Sequence, residues 1–136
     1  MRIRYPLHHC AESASVEVQG VAASDPGKKD ASVPASLSAF KRILKDTVFG
    51  SFKDAGRQVV KASVGGKGTA NVGGYAVDIA PVKVSGGKAK EEVTIKDSGR
   101  PIGQPIGITL SAGEPVMVSQ LGTRDAPTIL IFTLRE

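Results

Sequence analysis

The feature that most constrains the fold is a series of short segments with alternating apolar and polar residues, separated by turn residues about every eight to twelve positions. Val16 and Val18 alternate with Glu17 and Gln19, which is the period of a half-buried strand. The segment 91–96 repeats the pattern, with its valine and isoleucine facing inward. About seven such strands predict a mainly β protein, an antiparallel β-sandwich or a partly open barrel.

One segment follows a helical period instead. Its apolar residues recur at spacings of three and four and form one stripe, which comprises Leu37, Phe40, Ile43, Leu44 and Val48. Ser36 supplies an N-cap and Gly50 a left-handed C-terminal residue. The pattern predicts one amphipathic helix at about residues 37–49, inserted after the first strand. No helical pattern follows Gly50, which argues against a doubly wound α/β fold.

The length of 136 residues suits one domain with one core. We expect an N-terminal tail over residues 1–14 and a single β-rich domain over residues 15–136. A polar loop with Asp-Pro-Gly turn chemistry is expected at residues 24–34. Aromatic residues make up only 4% of the chain, so aliphatic side chains must fill the core. The single cysteine, Cys10, excludes an intrachain disulfide.

The glycine-rich stretch VGGKGTANVGGY, residues 64–75, invites comparison with phosphate-binding loops. A Walker loop needs Gly-Lys followed directly by Ser or Thr at the start of a helix, whereas here Gly68 separates Lys67 from Thr69. Glycine adopts positive φ freely. The stretch therefore predicts a hairpin turn at Gly65-Gly66 and a bulge or bend in the returning strand at Gly73-Gly74.

The next strand changes parity along its length. In YAVDIAPVKV, Val77 and Ile79 share one face, but Val82 and Val84 have the opposite parity. A buried row cannot change parity on a regular strand, so a bulge or bend is expected at Ala80-Pro81.

The net charge of +5 is regional. Residues 57–90 contain six cations and one acid, which leaves the remainder of the chain neutral. The six cations are Arg57, Lys61, Lys67, Lys83, Lys88 and Lys90. They are the candidate anion-binding residues, and a nucleic acid or another anionic polymer is their candidate partner. The segment has only Tyr75 for base stacking, whereas single-strand binders usually interleave several aromatic residues with basic ones.

Two further sets of residues are candidates for sites. Asp78 lies mid-strand between apolar residues, which predicts a structural ion pair with Arg57, Lys61 or Lys83. His8, His9 and Cys10 form a weak alternative for a metal site, but two or three consecutive ligands fall short of a four-ligand zinc site. No catalytic residue, metal or cofactor is predicted.

These observations favour a non-catalytic β-rich module that acts by binding or assembly, with a protein partner or a second copy of itself. The alternative is an anion- or nucleic-acid-binding domain that uses the basic segment 57–90. A third hypothesis is a hydrolase or metal-dependent enzyme that uses His8, His9 and Cys10. No run of residues is long and apolar enough to span a membrane. The compartment stays open between the cytoplasm and a secreted or periplasmic location reached with a signal since removed.

Overall fold

The computed structural model describes residues 12–27, 32–122 and 126–135. Nine β-strands, a short 3-10 helix and one short α-helix account for most of these residues. The predicted mainly β, sandwich-like fold is confirmed, with nine strands instead of about seven. The N-terminal residues 1–11, which include most of the predicted tail, lie outside the described residues.

The first sheet has four strands in the order β2-β1-β9-β8. Its strands are β1 (Ser13–Pro26), β2 (Phe49–Ser63), β8 (Val116–Gly122) and β9 (Pro127–Arg135). All neighbouring pairs are antiparallel. The first and last strands of the chain therefore lie in the interior of this sheet, and β2 and β8 form its edges.

The second sheet has five strands in the order β3-β4-β5, with β6 and β7 both paired to β5. Its strands are β3 (Gly68–Val72), β4 (Tyr75–Ser85), β5 (Lys88–Asp97), β6 (Arg100–Pro101) and β7 (Ile106–Ser111). These pairs are also antiparallel. No strand pairing joins β7 to β8 within the described ranges, so the two sheets face each other without closing into a barrel there.

The main core lies between the two sheets and is aliphatic, apart from Phe132 and a half-buried tyrosine. Val16 and Val18 face it from β1, and Val93 and Ile95 face it from β5. These four positions are the inward-facing members of the two alternating patterns in the sequence. Alternation in a strand sends every second side chain to the same face, so the period-two patterns correctly identified the buried rows.

A second, smaller core covers the opposite face of the first sheet. Leu37, Phe40 and Leu44 of the helical segment pack there against residues of β1, β2 and β9. Strand β9 is therefore buried on both faces, as its apolar run indicates.

The predicted helix is only partly correct. The segment forms a 3-10 helix (Ala35–Phe40) and then α1 (Lys41–Lys45), and it has ended before Phe49, where β2 begins. The backbone N–H of Thr47 and its hydroxyl both donate to the carbonyl of Leu44, at 3.1 and 2.7 Å. Pairing of Phe49 with Pro26 on β1 then takes the chain into the sheet, where tertiary pairing overrides the helical period.

Three details of that helix prediction are wrong as a result. Val48 does not join the buried stripe but is 69% exposed. Pro34, not Ser36, occupies the N-cap position, and no side chain caps the helix. Gly50 lies in β2 and has no positive φ.

The boundaries of β1 also differ from the expected ones. The strand begins at Ser13 and reaches Pro26, so it includes the last two residues of the predicted tail and the start of the predicted loop 24–34. Its extension pairs with the first residues of β2, of which the sequence placed Phe49 in a helix.

The glycine-rich stretch connects the two sheets. The turn at 64–67 carries the chain from β2 in the first sheet to β3 in the second, so it is not a hairpin within one sheet. Gly73 and Gly74, both with positive φ, form the tight turn between β3 and β4. The glycines do mark turns between strands, but the predicted hairpin at Gly65-Gly66 and the predicted bulge or bend at Gly73-Gly74 are wrong, and the short strand β3 was missed.

The change of parity in β4 is a register shift. The pairing of β4 with β5 is regular up to Pro81 opposite Glu91 and resumes with Lys83 opposite Lys90. Val82 is the extra residue and is exposed. The predicted irregularity at Ala80-Pro81 is confirmed to within about one residue.

Candidate functional site

The six cations of the basic segment separate into three places in the fold. Arg57 and Lys61 lie on β2, on the outer face of the first sheet. Lys67 lies in the turn before β3 and pairs with Asp78. The remaining three lie on the outer face of the second sheet, and we call Lys83, Lys88 and Lys90 the lysine cluster. Segment 57–90 is therefore not one anion-binding surface.

Strand register builds the lysine cluster. Lys83 on β4 lies directly opposite Lys90 on β5. The bulge at Val82 produces this pairing, because Val82 has no partner on β5 and the register shifts there. Lys88 lies two residues before Lys90, so both project from the same face of β5. Without the bulge, Lys83 would have the parity of the inward-facing Pro81 and could not join the outer face.

Hydroxyl groups flank the three lysines. Ser85 lies opposite Lys88 on β4, and Thr109 lies opposite Lys90 on β7. Together these side chains line a shallow depression of about 200 Å³ on the outer face of the second sheet. Lysine ammonium groups and hydroxyl groups both donate hydrogen bonds, so the depression presents donors to an anion.

The lysine cluster has no carboxylate partner among the described residues. Glu92 projects from the same face of β5 two residues beyond Lys90, but it makes no ion pair with the lysines. Like charges directly opposite each other on neighbouring strands destabilise a sheet. The cluster therefore holds uncompensated positive charge at an energetic cost.

Asp78 is held in an ion-pair network on the same outer face. Its carboxylate lies 3.0 Å from Lys96 Nζ and 3.8 Å from Lys67 Nζ, and it accepts a 2.6 Å hydrogen bond from the Thr69 hydroxyl. The hydrogen bond from Thr69, followed by the attraction of the two lysines, holds the pKa of Asp78 below its ordinary value. Its partners are thus Lys67 and Lys96, and none of the three that the sequence suggested.

Arg57 belongs to a different polar network, which the sequence reasoning missed. The buried side chain of Gln19 accepts a 2.7 Å hydrogen bond from Arg57 Nε and donates to Asp54 Oδ1 at 2.9 Å. Arg57 also donates to the carbonyl of Ser36 at 2.9 Å, which ties β2 to the 3-10 helix. These bonds commit Arg57 to a structural role.

Glu17 completes that network on β1. It is buried, and its carboxylate oxygens lie 3.7 Å from Arg57 Nε and 3.4 Å from Arg135 Nη1. The alternating pattern predicted that Glu17 and Gln19 lie on the face of β1 opposite to Val16 and Val18, and they do. The helical segment and the second, smaller core beneath it cover part of that face. A period-two pattern in β1 cannot reveal that a distant segment covers it.

Glu91 is the one carboxylate that the structure buries without a partner among the described residues. Its side chain is fully buried and neither carboxylate oxygen makes a hydrogen bond there. Burial raises the pKa of Glu91 to about 7. The sequence contained the signal, because Glu91 has the parity of the inward-facing Val93 and Ile95.

The structure provides no test of the metal alternative. His8, His9 and Cys10 lie outside the described residues. Within residues 12–27, 32–122 and 126–135, no group of three or more His, Cys, Asp or Glu side chains is arranged to hold a metal ion. In the same ranges, neither helical segment has the length and apolar character needed to cross a membrane.

Comparison with other proteins assigns no family to this fold and site. No family model, curated protein or solved structure matches the chain.

Proposed function

We propose that the protein is a non-catalytic binding module whose ligand is a polymer of sulfate or phosphate groups. The ligand docks on the outer face of the second sheet, at the lysine cluster. The observation that carries the proposal is the cross-strand pair Lys83 and Lys90, with Lys88 beside it and no carboxylate paired to them among the described residues.

The pairing of charged groups elsewhere in the protein supports the lysine cluster as the binding site. Asp78 and Glu17 each lie near two cations, so the described part of the chain pairs these charges internally. The lysine cluster does not follow that pattern. An anion placed in the depression would relieve the repulsion between Lys83 and Lys90 and accept hydrogen bonds from Ser85 and Thr109.

The chemistry of the face favours a ligand recognised through its charged groups. The phenylalanines of the described residues are buried in the two cores, and Tyr75 packs against the main core. Single-stranded nucleic acids bind through aromatic stacking as well as charge, and no aromatic residue of the described ranges lines the depression at the lysine cluster. A sulfated or phosphorylated chain without bases needs only the cations and hydroxyls.

Replacement of Lys83, Lys88 and Lys90 by Gln should abolish most of the binding to a heparin oligosaccharide or to polyphosphate. The plot of log K against log salt concentration should become shallower by about 2 to 3, because each lysine–anion contact releases about one counterion. The melting temperature should not fall, because the variant removes like-charge repulsion. Fluorescence titration at several salt concentrations and a thermal melt measure both effects.

A matched control is the triple variant Lys41→Gln, Lys45→Gln and Lys61→Gln. It makes the same change in net charge on exposed residues outside the second sheet. It should retain most of the binding. Equal loss in both triple variants would show that net charge alone attracts the ligand and would refute the site. Tighter binding to a single-stranded oligonucleotide than to heparin of similar charge would refute a ligand without bases.

Self-association is a second candidate function, supported by the sheet edges. Strand β7 lies at an edge of the second sheet and β8 at an edge of the first, and neither strand contains a charged residue. Natural edge strands usually carry charges or proline that prevent pairing with another chain. Met117 on β8 is 36% exposed. Light scattering over a range of concentrations tests this candidate, and a strictly monomeric profile at high concentration would count against it.

A further inference from the structure

Strand β7 is an open edge of the second sheet. Among the described residues it pairs with β5 alone, and its register is regular over all six residues, with no bulge. The strand contains no charged residue and no proline. Charges, prolines and bulges are the means by which natural edge strands avoid pairing with another chain, and β7 has none of them.

A hydrogen bond at the end of the β5–β7 ladder shows which backbone groups of β7 face this open edge. The register places Ala112 opposite Gly87, and the N–H of Ala112 donates to the carbonyl of Gly87 at 2.8 Å. In an antiparallel ladder, hydrogen-bonded pairs alternate with pairs that exchange no hydrogen bond. The N–H and C=O groups of every second residue from Leu110 back to Ile106 therefore face β5. The residues whose N–H and C=O groups face the open edge are Gly107, Thr109 and Ser111.

The β4–β5 turn supports the same alternation. Gly86 and Gly87 both have positive φ, as in the two-residue turns that join antiparallel strands. Such a turn is closed by a hydrogen-bonded pair, here Ser85 and Lys88. The backbone groups of Lys88 thus point to β4, and those of the next residue, Ala89, point to β7.

The edge of β7 is complementary to a second copy of itself. Antiparallel pairing about a two-fold axis at Thr109 places Gly107 opposite Ser111 of the second copy, and Thr109 opposite the second Thr109. All three pairs then join edge-facing groups, which gives about six N–H···O=C bonds. Nothing lies within 4 Å of the position that a Cβ atom would occupy on Gly107, and cross-strand threonine pairs are favourable.

The inner face of β7 also gains from this pairing. Ile106 and Ile108 pack against the main core but are only partly buried. The same register places Ile108 opposite Leu110 of the second copy, on the inner face of the joined sheet. A strand beside β7 therefore adds apolar burial to the backbone hydrogen bonds.

We propose that two copies of this chain pair through β7, antiparallel and centred on Thr109, so that their second sheets join into one continuous sheet. The proposal rests on the second candidate function, self-association, and gives it a defined interface. The two-fold axis is perpendicular to the joined sheet, so both lysine clusters lie on the same outer face. Three strand spacings separate Lys90 of one copy from Lys90 of the other, about 14 Å. One polymer of sulfate or phosphate groups can span both clusters.

Light scattering on the full chain tests the interface. The wild type should shift from monomer to dimer as its concentration rises to about a millimolar, because so small an interface is weak. Gly107→Pro removes one edge-facing N–H from each copy and no bond to β5, so it should weaken dimerisation by at least about tenfold. At concentrations where both proteins are monomeric, its melting temperature should lie within about 5 °C of the wild-type value.

Two further variants guard against a folding defect in Gly107→Pro. Gly107→Ala keeps the N–H and should leave dimerisation within about twofold. Thr109→Lys changes an exposed side chain and places two like charges directly opposite each other at the two-fold axis. It should weaken dimerisation by at least about fivefold without loss of any backbone hydrogen bond.

Cysteine crosslinking in a Cys10→Ser background tests the register. In Thr109→Cys, the two thiols of the dimer lie on directly opposed residues, whose Cβ atoms are about 5 Å apart. A thiol crosslinker shorter than about 8 Å should therefore join most of the dimer. In Gly107→Cys, the two thiols are offset by four residues along the strands, about 13 Å, and should crosslink at least about tenfold more slowly.

A heparin oligosaccharide tests the link to the lysine cluster. An oligosaccharide that spans both clusters should strengthen dimerisation by at least about fivefold, whereas inorganic phosphate, which cannot span them, should not. The variant with Lys83, Lys88 and Lys90 replaced by Gln should still dimerise without heparin but lose this enhancement.

The outcomes separate the interface from the proposed functions. A dimer that withstands Gly107→Pro and Thr109→Lys would place self-association on another surface and overturn the β7 interface. Equal crosslinking of Gly107→Cys and Thr109→Cys would overturn the register. A protein that stays monomeric at every concentration, with and without heparin, would overturn the dimer itself. Heparin binding by monomeric Gly107→Pro would show that the lysine cluster acts as a site whether or not β7 pairs.

Discussion

Glu91→Gln should remove a large pH dependence from the stability of the protein. Glu91 is fully buried with no hydrogen-bond partner among the described residues, and burial raises its pKa to about 7 from an ordinary value near 4.5. The folded state therefore binds a proton more tightly than the unfolded chain does. The contribution of Glu91 to stability is therefore most favourable below pH 4.5, where its carboxyl is protonated in both states, and is lost as the pH rises through about 7.

The expected size of this effect follows from the shift in pKa. A change of one pKa unit corresponds to about 1.4 kcal/mol, so Glu91 should cost the wild type about 3 kcal/mol of unfolding free energy at pH 8 relative to pH 4.5. Gln has nearly the same shape and no charge. The stability difference, variant minus wild type, should thus increase by about 3 kcal/mol over that range. Urea unfolding at a series of pH values measures this difference.

Glu92→Gln is the matched control for Glu91→Gln. Glu92 is the next residue on β5 but faces solvent, so its neutralisation should leave the pH profile parallel to that of the wild type. Parallel profiles for Glu91→Gln and the wild type would show that the carboxylate of Glu91 is solvated or paired in solution. That result would contradict its placement in the main core.

Gly68→Ala should destabilise the protein by about 1–3 kcal/mol, the usual cost of overpacking a core. A methyl group on Gly68 would overlap Cγ1 of Val60, a buried residue of β2. The absence of a side chain at Gly68 allows β3 to approach β2 where the chain crosses from the first sheet to the second. Thermal or urea unfolding measures the loss.

Gly66→Ala provides the control in the same turn. Gly66 has no positive φ, and a methyl group there would meet only the carbonyl oxygen of Ser63, at 3.4 Å. It should be neutral or stabilising by up to about 1 kcal/mol, because alanine restricts the unfolded chain. Val60→Ala should relieve part of the overlap that Gly68→Ala creates. The loss of unfolding free energy in the double variant should therefore be smaller than the sum of the two single losses by at least about 0.5 kcal/mol. Additive effects would exclude a direct contact between the two positions.

The sequence predicted the buried rows better than the helix. Val16, Val18, Val93 and Ile95 face the main core as their alternation indicates, because side-chain direction in a strand depends only on local geometry. The helix was predicted too long because the apolar Val48 and Phe49 fit its period. Pairing of Phe49 with β1 is a long-range interaction that no local period contains.

The candidate site was only partly visible in the sequence. The sequence shows that the net positive charge lies in segment 57–90, and the change of parity at Pro81 predicted the bulge in β4. That bulge gives Lys83 its place opposite Lys90. Two interactions were not predictable: the hydrogen bond of Arg57 with Gln19 and the ion pair of Lys67 with Asp78. Both depend on which strands become neighbours in the fold.

Local patterns in the chain were sufficient to establish a β-rich domain with one short helical insertion, the inward-facing rows and the basic segment. Strand alternation, turn residues and charge are properties of neighbouring positions. The assignment of strands to two sheets depended on contacts between distant residues. So did the division of the six cations among three environments and the burial of Glu91. The glycine-rich stretch depends on both local pattern and tertiary contacts. Its glycines mark turns in the sequence, but only the packing of Val60 against Gly68 makes one of these turns a crossing between the two sheets.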